Sequence, residues 1–169
     1  KSFDKFSAGM TVFYYYYPGA ESTPETGSTS YNYGEIVPQI GYGPLTLKYY
    51  ITYTPDYAGY NSDTMGGPAG KRSRGTTYLD LTFTQPINES WTFGAHYGYE
   101  KIKNFSEANF QDMKVELIKD LGDGWTTGLA YTKAWDKDGF YKKYSNGEPD
   151  APISNPIDST FTVSVKKVF

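Results

Sequence analysis

The sequence predicts an all-β protein, an antiparallel up-and-down transmembrane β-barrel with eight strands in this chain. Three observations lead to this fold class. Eight segments alternate between large apolar and polar residues, with the period of two expected of a strand that has two different faces. Most of them are about 9–12 residues long, which exceeds the length common in soluble sheets and suits strands that cross a bilayer at a tilt. Short and long connections between the segments alternate strictly along the chain.

The predicted strands follow one another without a convincing helix between them. They comprise residues 7–17, 31–42, 45–54, 76–85, 91–99, 110–121, 125–135 and 159–169. In 45–54, Leu45, Leu47 and Ile51 share one face, while Lys48 and Thr52 share the other. Alternation alone fits two folds, because the apolar face would be the inside of a soluble sandwich and the outside of a membrane barrel.

The connections favour the barrel. Three are tight turns with Gly or Pro, at 43–44, 86–90 and 122–124, and four are long, at 18–30, 55–75, 101–109 and 136–158. This order is expected when one rim has short periplasmic turns and the other has extended outer loops, whereas a Greek-key sandwich has no reason to alternate in this way. We therefore expect the face that carries Leu45 to meet lipid and the face that carries Lys48 to meet the barrel interior.

Composition agrees with one domain over residues 1–169 and narrows its class. Apolar residues make up 38% and aromatics 18%, with 18 Tyr, so aliphatic residues are scarce for a soluble core. No run approaches the length of apolar residues that a spanning helix needs. The absence of cysteine argues against a disulfide-stapled secreted domain. A net charge of -3 offers no broad basic surface, so nucleic acid is not an expected partner.

Aromatic residues are expected to form a girdle at each rim, although aromatics also cap strands in soluble sheets. Beside the short turns lie Trp91, Trp125, Tyr42 and Phe169, and beside the long loops lie Tyr17, Tyr53, Tyr99 and Trp135. The closing stretch "STFTVSVKKVF" resembles the C-terminal signal that the assembly machinery of bacterial outer-membrane barrels reads. The residues that carry this resemblance are Phe161, Val163, Val165 and Phe169. Lys167 departs from the apolar residue usual at its position.

Four stretches resemble the TorF-type porin family of Gram-negative outer-membrane proteins. They are "SYNYGEIVPQIGYGPLTLKYYITYTPDYAG", "TTYLDLTFTQPINESWTFGAHYGYEK", "DMKVELIKDLGDGWTTGLAYTKA" and "FTVSVKKVF". The resemblance runs from about Thr11 to the end of the chain, with breaks in the long loops. It implies a bacterial outer-membrane barrel with further strands before the point where this sequence begins.

Residues 1–5 read as a short polar turn that would join the first strand to an earlier one. The native barrel is therefore expected to have more strands than these eight, twelve in all, with the extra strands between the first and last seen here. Any signal peptide is expected to have been removed or to lie outside this sequence.

The predicted interior face carries charged residues of both signs. These candidate lumen-lining residues are Lys48, Asp80, His96, Glu100, Asp112, Lys114, Glu116 and Lys166. In a barrel of eight strands such groups pair across a narrow interior, and in a wider barrel they line a water-filled channel.

Three local motifs have a functional and an ordinary reading. His96 resembles the base of outer-membrane lipid-modifying hydrolases, but those enzymes present the site to lipid, so a polar filling role is favoured. Residues 136–139 resemble the start of a calcium loop that lacks its later ligands, and we expect an ordinary loop. The basic residues at 71–74 fit either contact with anionic lipopolysaccharide or a solvated loop tip.

The sequence therefore predicts an outer-membrane barrel that lets small hydrophilic solutes diffuse through a polar lumen, without catalysis, metal or cofactor. Its expected partners are outer-membrane lipid and lipopolysaccharide, the barrel assembly machinery and the solutes. The rival is a structural or adhesive barrel with a closed lumen, whose long outer loops bind a partner or a surface.

Overall fold

The computed structural model of the protein describes residues 2–3, 5–22, 28–142 and 155–169. Its main element is one antiparallel sheet in which each long strand pairs with its neighbours in the chain. The eight long strands are β1 (Phe6–Tyr15), β2 (Tyr33–Tyr42), β3 (Leu45–Thr52), β4 (Thr77–Pro86), β5 (Trp91–Lys101), β6 (Phe110–Gly122), β7 (Trp125–Asp136) and β8 (Thr160–Lys167). The prediction of eight antiparallel strands is confirmed.

The strand limits agree with the sequence pattern to within two residues, because Gly and Pro turns stop the alternation sharply. The tight turns lie at one end of the sheet and the long connections at the other. The connections 18–30 and 136–158 lie only in part within the described residues. The remaining elements are short: the strand pair Glu21–Ser22 with Thr29–Ser30, the helix Ser62–Met65 and the 3-10 helix Ser106–Ala108. None of the described helices is long and apolar enough to cross a membrane.

The two outer strands of the sheet do not pair with each other. Val12 of β1 lies opposite Ile36 of β2, and Val163 of β8 lies opposite Leu129 of β7. The two-residue strand Ser2–Phe3 pairs antiparallel with the start of β1, on the edge that β2 leaves free. Within the described residues the sheet is therefore open, and a further strand segment occupies part of one open edge.

The two faces of the sheet differ in the way that the alternation predicted. The apolar face is exposed: Met10 keeps 71% of its surface and Val163 keeps 75%. Leu81, Phe93 and Leu117, on the same face of three other strands, are also exposed, and Leu47 is half-buried. No layer of described residues covers this face.

The opposite face, which we call the polar face, holds most of the buried residues of the sheet, and these are largely polar. Glu35, Thr52 and Glu100 are buried together with Val37. Hydrophobic residues are thus exposed and polar residues are enclosed, which is the reverse of the distribution in a soluble sheet.

The long connections form a small packed structure of their own, here called the loop cap. Its centre is Ile102, Phe105 and Ala108, all buried, against which Tyr57, Tyr60, Met65 and Tyr141 pack. These seven residues come from three different long connections. The side-chain Nδ2 of Asn61 donates to Oγ1 of Thr29 at 3.1 Å. This bond joins the fourth long connection to the other three.

Candidate functional site

The polar face is strongly concave. A cavity of about 280 Å³ is lined by residues of six consecutive strands, β1 to β6, together with one loop residue. In a flat sheet, five strand spacings would separate β1 from β6 by about 24 Å. Side chains of both strands can share one small cavity only if the sheet curves around it. The lining residues are Tyr15, Tyr33, Glu35, Tyr50, Tyr57, Tyr78, Glu100 and Phe110, and we call this space the aromatic cavity.

A second cavity of the polar face has a volume of about 500 Å³ and is lined by charged residues. Five of the eight predicted lumen-lining residues line it: Asp80, His96, Asp112, Lys114 and Glu116. We call this group of five the charged cluster. The register of the sheet brings it together, since His96 lies opposite Lys114 and Gly98 lies opposite both Asp80 and Asp112.

His96 is held between two carboxylates. Its Nδ1 lies 3.1 Å from Oδ1 of Asp80, and its Nε2 lies 2.9 Å from Oδ1 of Asp112. The hydroxyl of Tyr78 donates to Oδ2 of Asp112 at 2.9 Å and lies 3.0 Å from Nε2 of His96. Both ring nitrogens are therefore engaged, and no serine is among the partners that the described residues give to His96. The arrangement is a hydrogen-bonded network of one histidine, two carboxylates and a tyrosine hydroxyl.

Two glycines on β5 make this network possible. A Cβ at Gly98 would collide with the hydroxyl of Tyr78 and the carboxylate of Asp112, and a Cβ at Gly94 would lie 2.8 Å from Cγ of Glu116. Gly is needed at these positions because side chains of neighbouring strands cross over them. In the stretch Gly94-Ala95-His96-Tyr97-Gly98 the two glycines lie on either side of His96 on the same face, so no side chain of either neighbour on that face crowds the imidazole.

The other predicted lumen residues also lie on the polar face but differ in their surroundings. Lys48 is opposite Asp80 in the ladder between β3 and β4. Lys166 is exposed on β8, opposite Thr126. Glu100 lines the aromatic cavity rather than the charged cluster.

The aromatic cavity encloses two carboxyl groups, those of Glu35 and Glu100. Glu100 keeps only 2% of its surface, and its Oε1 has no hydrogen-bond partner among the described residues. Glu35 is also buried, and it lines this cavity together with Glu100 and Tyr15.

Ring contacts connect the walls of the aromatic cavity to the loop cap. The rings of Tyr15 and Tyr33 stack with centroids 4.4 Å apart, and Tyr33 meets Tyr57 edge to face at 4.8 Å. Tyr57 belongs to the loop cap as well. Burial, and then the nearby carboxylate of Glu100, raise the pKa of the Tyr57 hydroxyl well above its usual range.

The sequence prediction missed most of this cavity. It named Glu100 but neither Glu35 nor the tyrosines. The sequence did contain one indication of Glu35. Because Ile36 and Ile40 face outward, the adjacent Glu35 must lie on the other face of the strand. That Glu35 and Glu100 share one cavity follows from the curvature of the sheet, which alternation does not report.

The loop motifs have structural partners. The carboxylate of Asp136 accepts from the amides of Gly139 at 2.9 Å and Tyr141 at 2.8 Å, which closes an ordinary turn. In the basic cluster, Nη1 of Arg72 lies 2.7 Å from Oδ2 of Asp56, and Nε of Arg74 donates to the carbonyl of Tyr53 at 2.7 Å. Both arginines hold the loop cap together, which favours an internal role for them. Among the described residues no group of three or more His, Cys, Asp or Glu could hold a metal ion.

Comparison with known proteins identifies the family of the chain. Residues 2–169 match the model of a bacterial family of unknown function, Gcw_chp. The protein belongs to this family. The comparisons with curated proteins and with solved structures gave no match.

Proposed function

We propose that this protein is a porin-like β-barrel of the bacterial outer membrane, through whose polar interior small hydrophilic solutes diffuse. The observation that carries the proposal is the inverted sheet. Its apolar face is exposed over all eight strands, while charged residues are enclosed on the other face. Soluble monomers rarely expose a continuous apolar patch of more than a few hundred Å², whereas a membrane barrel needs an apolar outer band and a polar interior.

The open edges support a barrel with more than eight strands. An unpaired strand edge in hydrocarbon leaves N–H and C=O groups without partners, so a spanning sheet must close. Closure through direct pairing of β1 with β8 would require the free edge of β1, part of which Ser2–Phe3 already occupies. Closure through further strands, twelve in all, avoids this conflict and gives a lumen wider than side chains can fill.

The outer membrane is the proposed location because the strand lengths, the short and long rims and the resemblance to TorF-type porins agree. The exposed Phe161, Val163, Val165 and Phe169 then serve as the signal for the assembly machinery. Outer-membrane lipid covers the apolar face, and the loop cap faces the exterior, next to lipopolysaccharide.

One observation favours a second function, a barrel with a closed lumen whose loops bind a partner or a surface. The loop cap packs across the end of the polar face where the long connections lie, with Tyr57 shared between the cap and the aromatic cavity. A cap that stays shut would block diffusion.

Conductance across a planar bilayer separates the two functions. A pore gives stepwise currents, and the absence of any current at high protein load would contradict it and favour the closed barrel. Lys114→Glu should raise the preference for K⁺ over Cl⁻, since Lys114 lies on the polar face. Lys119→Glu is the matched control, because Lys119 lies on the opposite face against the ring of Trp91, and it should leave ion selectivity unchanged.

A further inference from the structure

In the described part of the chain, the wall of the aromatic cavity contains acidic side chains but no basic ones. Six aromatic rings and two carboxyl groups line it, and no Lys, Arg or His is among the described residues of its wall. The charged cluster, by contrast, contains carboxylates together with Lys114 and His96. Basic side chains therefore balance part of the acidic charge in one cavity of the polar face, and no described basic side chain does so in the other.

Glu100 marks the place where a partner is missing. It is almost fully buried, it lines the cavity, and its Oε1 has no hydrogen-bond partner in the described part of the chain. Burying a carboxylate without a counter-charge is strongly unfavourable. Glu35, which is also buried and lines the same cavity, adds a second acidic group. A cation in the cavity would relieve both.

The wall favours an organic cation over an inorganic one. Calcium takes about six to eight oxygen ligands. Among the described residues, no group of three or more His, Cys, Asp or Glu could hold a metal ion. Aromatic rings instead attract a positively charged ammonium group through their electron-rich faces and contact its carbon atoms. Tyr15, Tyr33 and Tyr57, which contact one another in series, form one side of such an enclosure.

We propose that the aromatic cavity binds a small organic ammonium ion, whose charge is held by Glu35 and Glu100 and whose carbon atoms contact the tyrosine rings. The proposal rests on the proposed function for the route of the ligand, which enters from the polar interior or beneath the loop cap. It adds a chemical class of solute, a small cation with an apolar envelope, to the general diffusion of hydrophilic molecules.

Titration calorimetry of the full chain in detergent micelles tests the site, with choline chloride as the probe and constant NaCl in all solutions. The uncharged analogue 3,3-dimethyl-1-butanol has nearly the same shape and serves as the matched ligand control. We expect saturable binding of choline at one site and binding of the analogue weaker on the order of tenfold or more, because it lacks the charge.

Two variants and one control locate the site. Glu100→Gln keeps the size of the side chain and should weaken choline binding on the order of tenfold, and Tyr57→Leu should weaken it by removing a ring. Glu116→Gln removes a carboxylate from the polar face outside this cavity and should change the affinity less than about twofold. A far-UV circular dichroism spectrum of each variant checks that the sheet is intact. If Glu100→Gln does not fold, Tyr57→Leu still tests the site.

Three results would overturn the proposal: no saturable heat with choline, equal affinity for choline and its uncharged analogue, or equal losses in Glu100→Gln and Glu116→Gln. Because binding is measured in micelles, its outcome does not depend on a current. A barrel that conducts but does not bind choline refutes the site alone, and a barrel that binds choline but gives no current refutes the pore alone.

Discussion

The sheet and the loop cap distribute the same kinds of residue in opposite ways. In the sheet, large apolar residues such as Met10 and Val163 are exposed while Glu35 and Glu100 are buried. In the loop cap, Phe105 keeps only 3% of its surface, and Ile102 and Ala108 are buried with it. One short chain thus contains an inverted region and an ordinary one.

The proposed membrane location accounts for this difference, because it gives the two regions different solvents. A bilayer removes the reason to bury apolar side chains and makes every unpaired polar group in the spanning region costly, so the polar groups turn inward. On that proposal the long connections lie in water, where a small hydrophobic centre stabilises the loops as in any soluble protein. The boundary lies near Tyr57, which contacts both regions.

The largest expected effect is on the loop cap. Phe105→Ala should destabilise it by about 3–5 kcal/mol, because a buried ring is replaced by a cavity in a very small core. Hydrogen exchange of the amides in 102–109 should become much faster, while exchange in the strands should not change. Phe161→Ala, at a ring that is exposed on β8, is the control and should leave exchange in the cap as it is. If both variants accelerated exchange in the cap equally, the two regions would not be distinct.

A charge placed on each face of one strand tests the inversion of the sheet. Leu81→Arg should lower the free energy of unfolding in a lipid bilayer by about 2–4 kcal/mol, since Leu81 lies on the exposed apolar face. The neighbouring change Thr82→Arg puts the same residue into the large cavity of the polar face and should cost far less. Denaturant unfolding in bilayers measures both, and equal costs would contradict the assignment of the faces.

The tight packing of the polar face predicts a loss for Gly98→Ala. The new methyl group would collide with Tyr78 and Asp112, and overpacking of this kind costs about 1–3 kcal/mol. Gly9→Ala is the milder control, because its Cβ would lie 3.1 Å from the side-chain amide of Gln39, the movable end of a flexible residue. Thermal unfolding in detergent compares the two, and a greater loss at Gly9 would mean that the network around His96 is loose.

The smallest expected effect concerns the link between the loops. Asn61 is buried, and its Oδ1 accepts from the amides of Asp63 at 2.9 Å and Thr64 at 3.2 Å. Asn61→Ala removes this helix cap and the bond to Thr29, at a cost of about 0.5–2 kcal/mol. Limited proteolysis should then cut the long loops sooner.

The control for that variant lies at the other rim of the sheet. The side chain of Asn88 accepts from the amides of Ser90 and Trp91, each at 3.0 Å, within a short turn. Asn88→Ala should therefore leave the rate of cleavage in the long loops unchanged. Faster cleavage there in both variants would contradict a separate loop cap.

The sequence predicted the sheet well because its signals are local. The period of two assigned Leu45 and Lys48 to opposite faces, and Gly43 and Gly122 marked the turns. The loop cap was not predicted, since Thr29, Asn61 and Phe105 are far apart in the chain and follow no period. The meeting of Glu35 with Glu100 was missed for a related reason: it depends on how strongly the strands between them curve, which no single segment specifies.

The strictly sequential pairing of the strands has a consequence for how such proteins change in evolution. Within the part of the chain that the structure describes, each of β2 to β7 is hydrogen-bonded to the strand before it and the strand after it and to no other strand. A hairpin of two strands, with its short turn, can therefore be duplicated or deleted without altering the register of any other pair. Its neighbours meet across the gap in the same antiparallel sense, since two strands are always gained or lost together. The circumference of the sheet then changes in steps of one hairpin, while the aromatic cavity, whose walls come from β1 to β6, is kept only when the hairpin is added or removed outside that range.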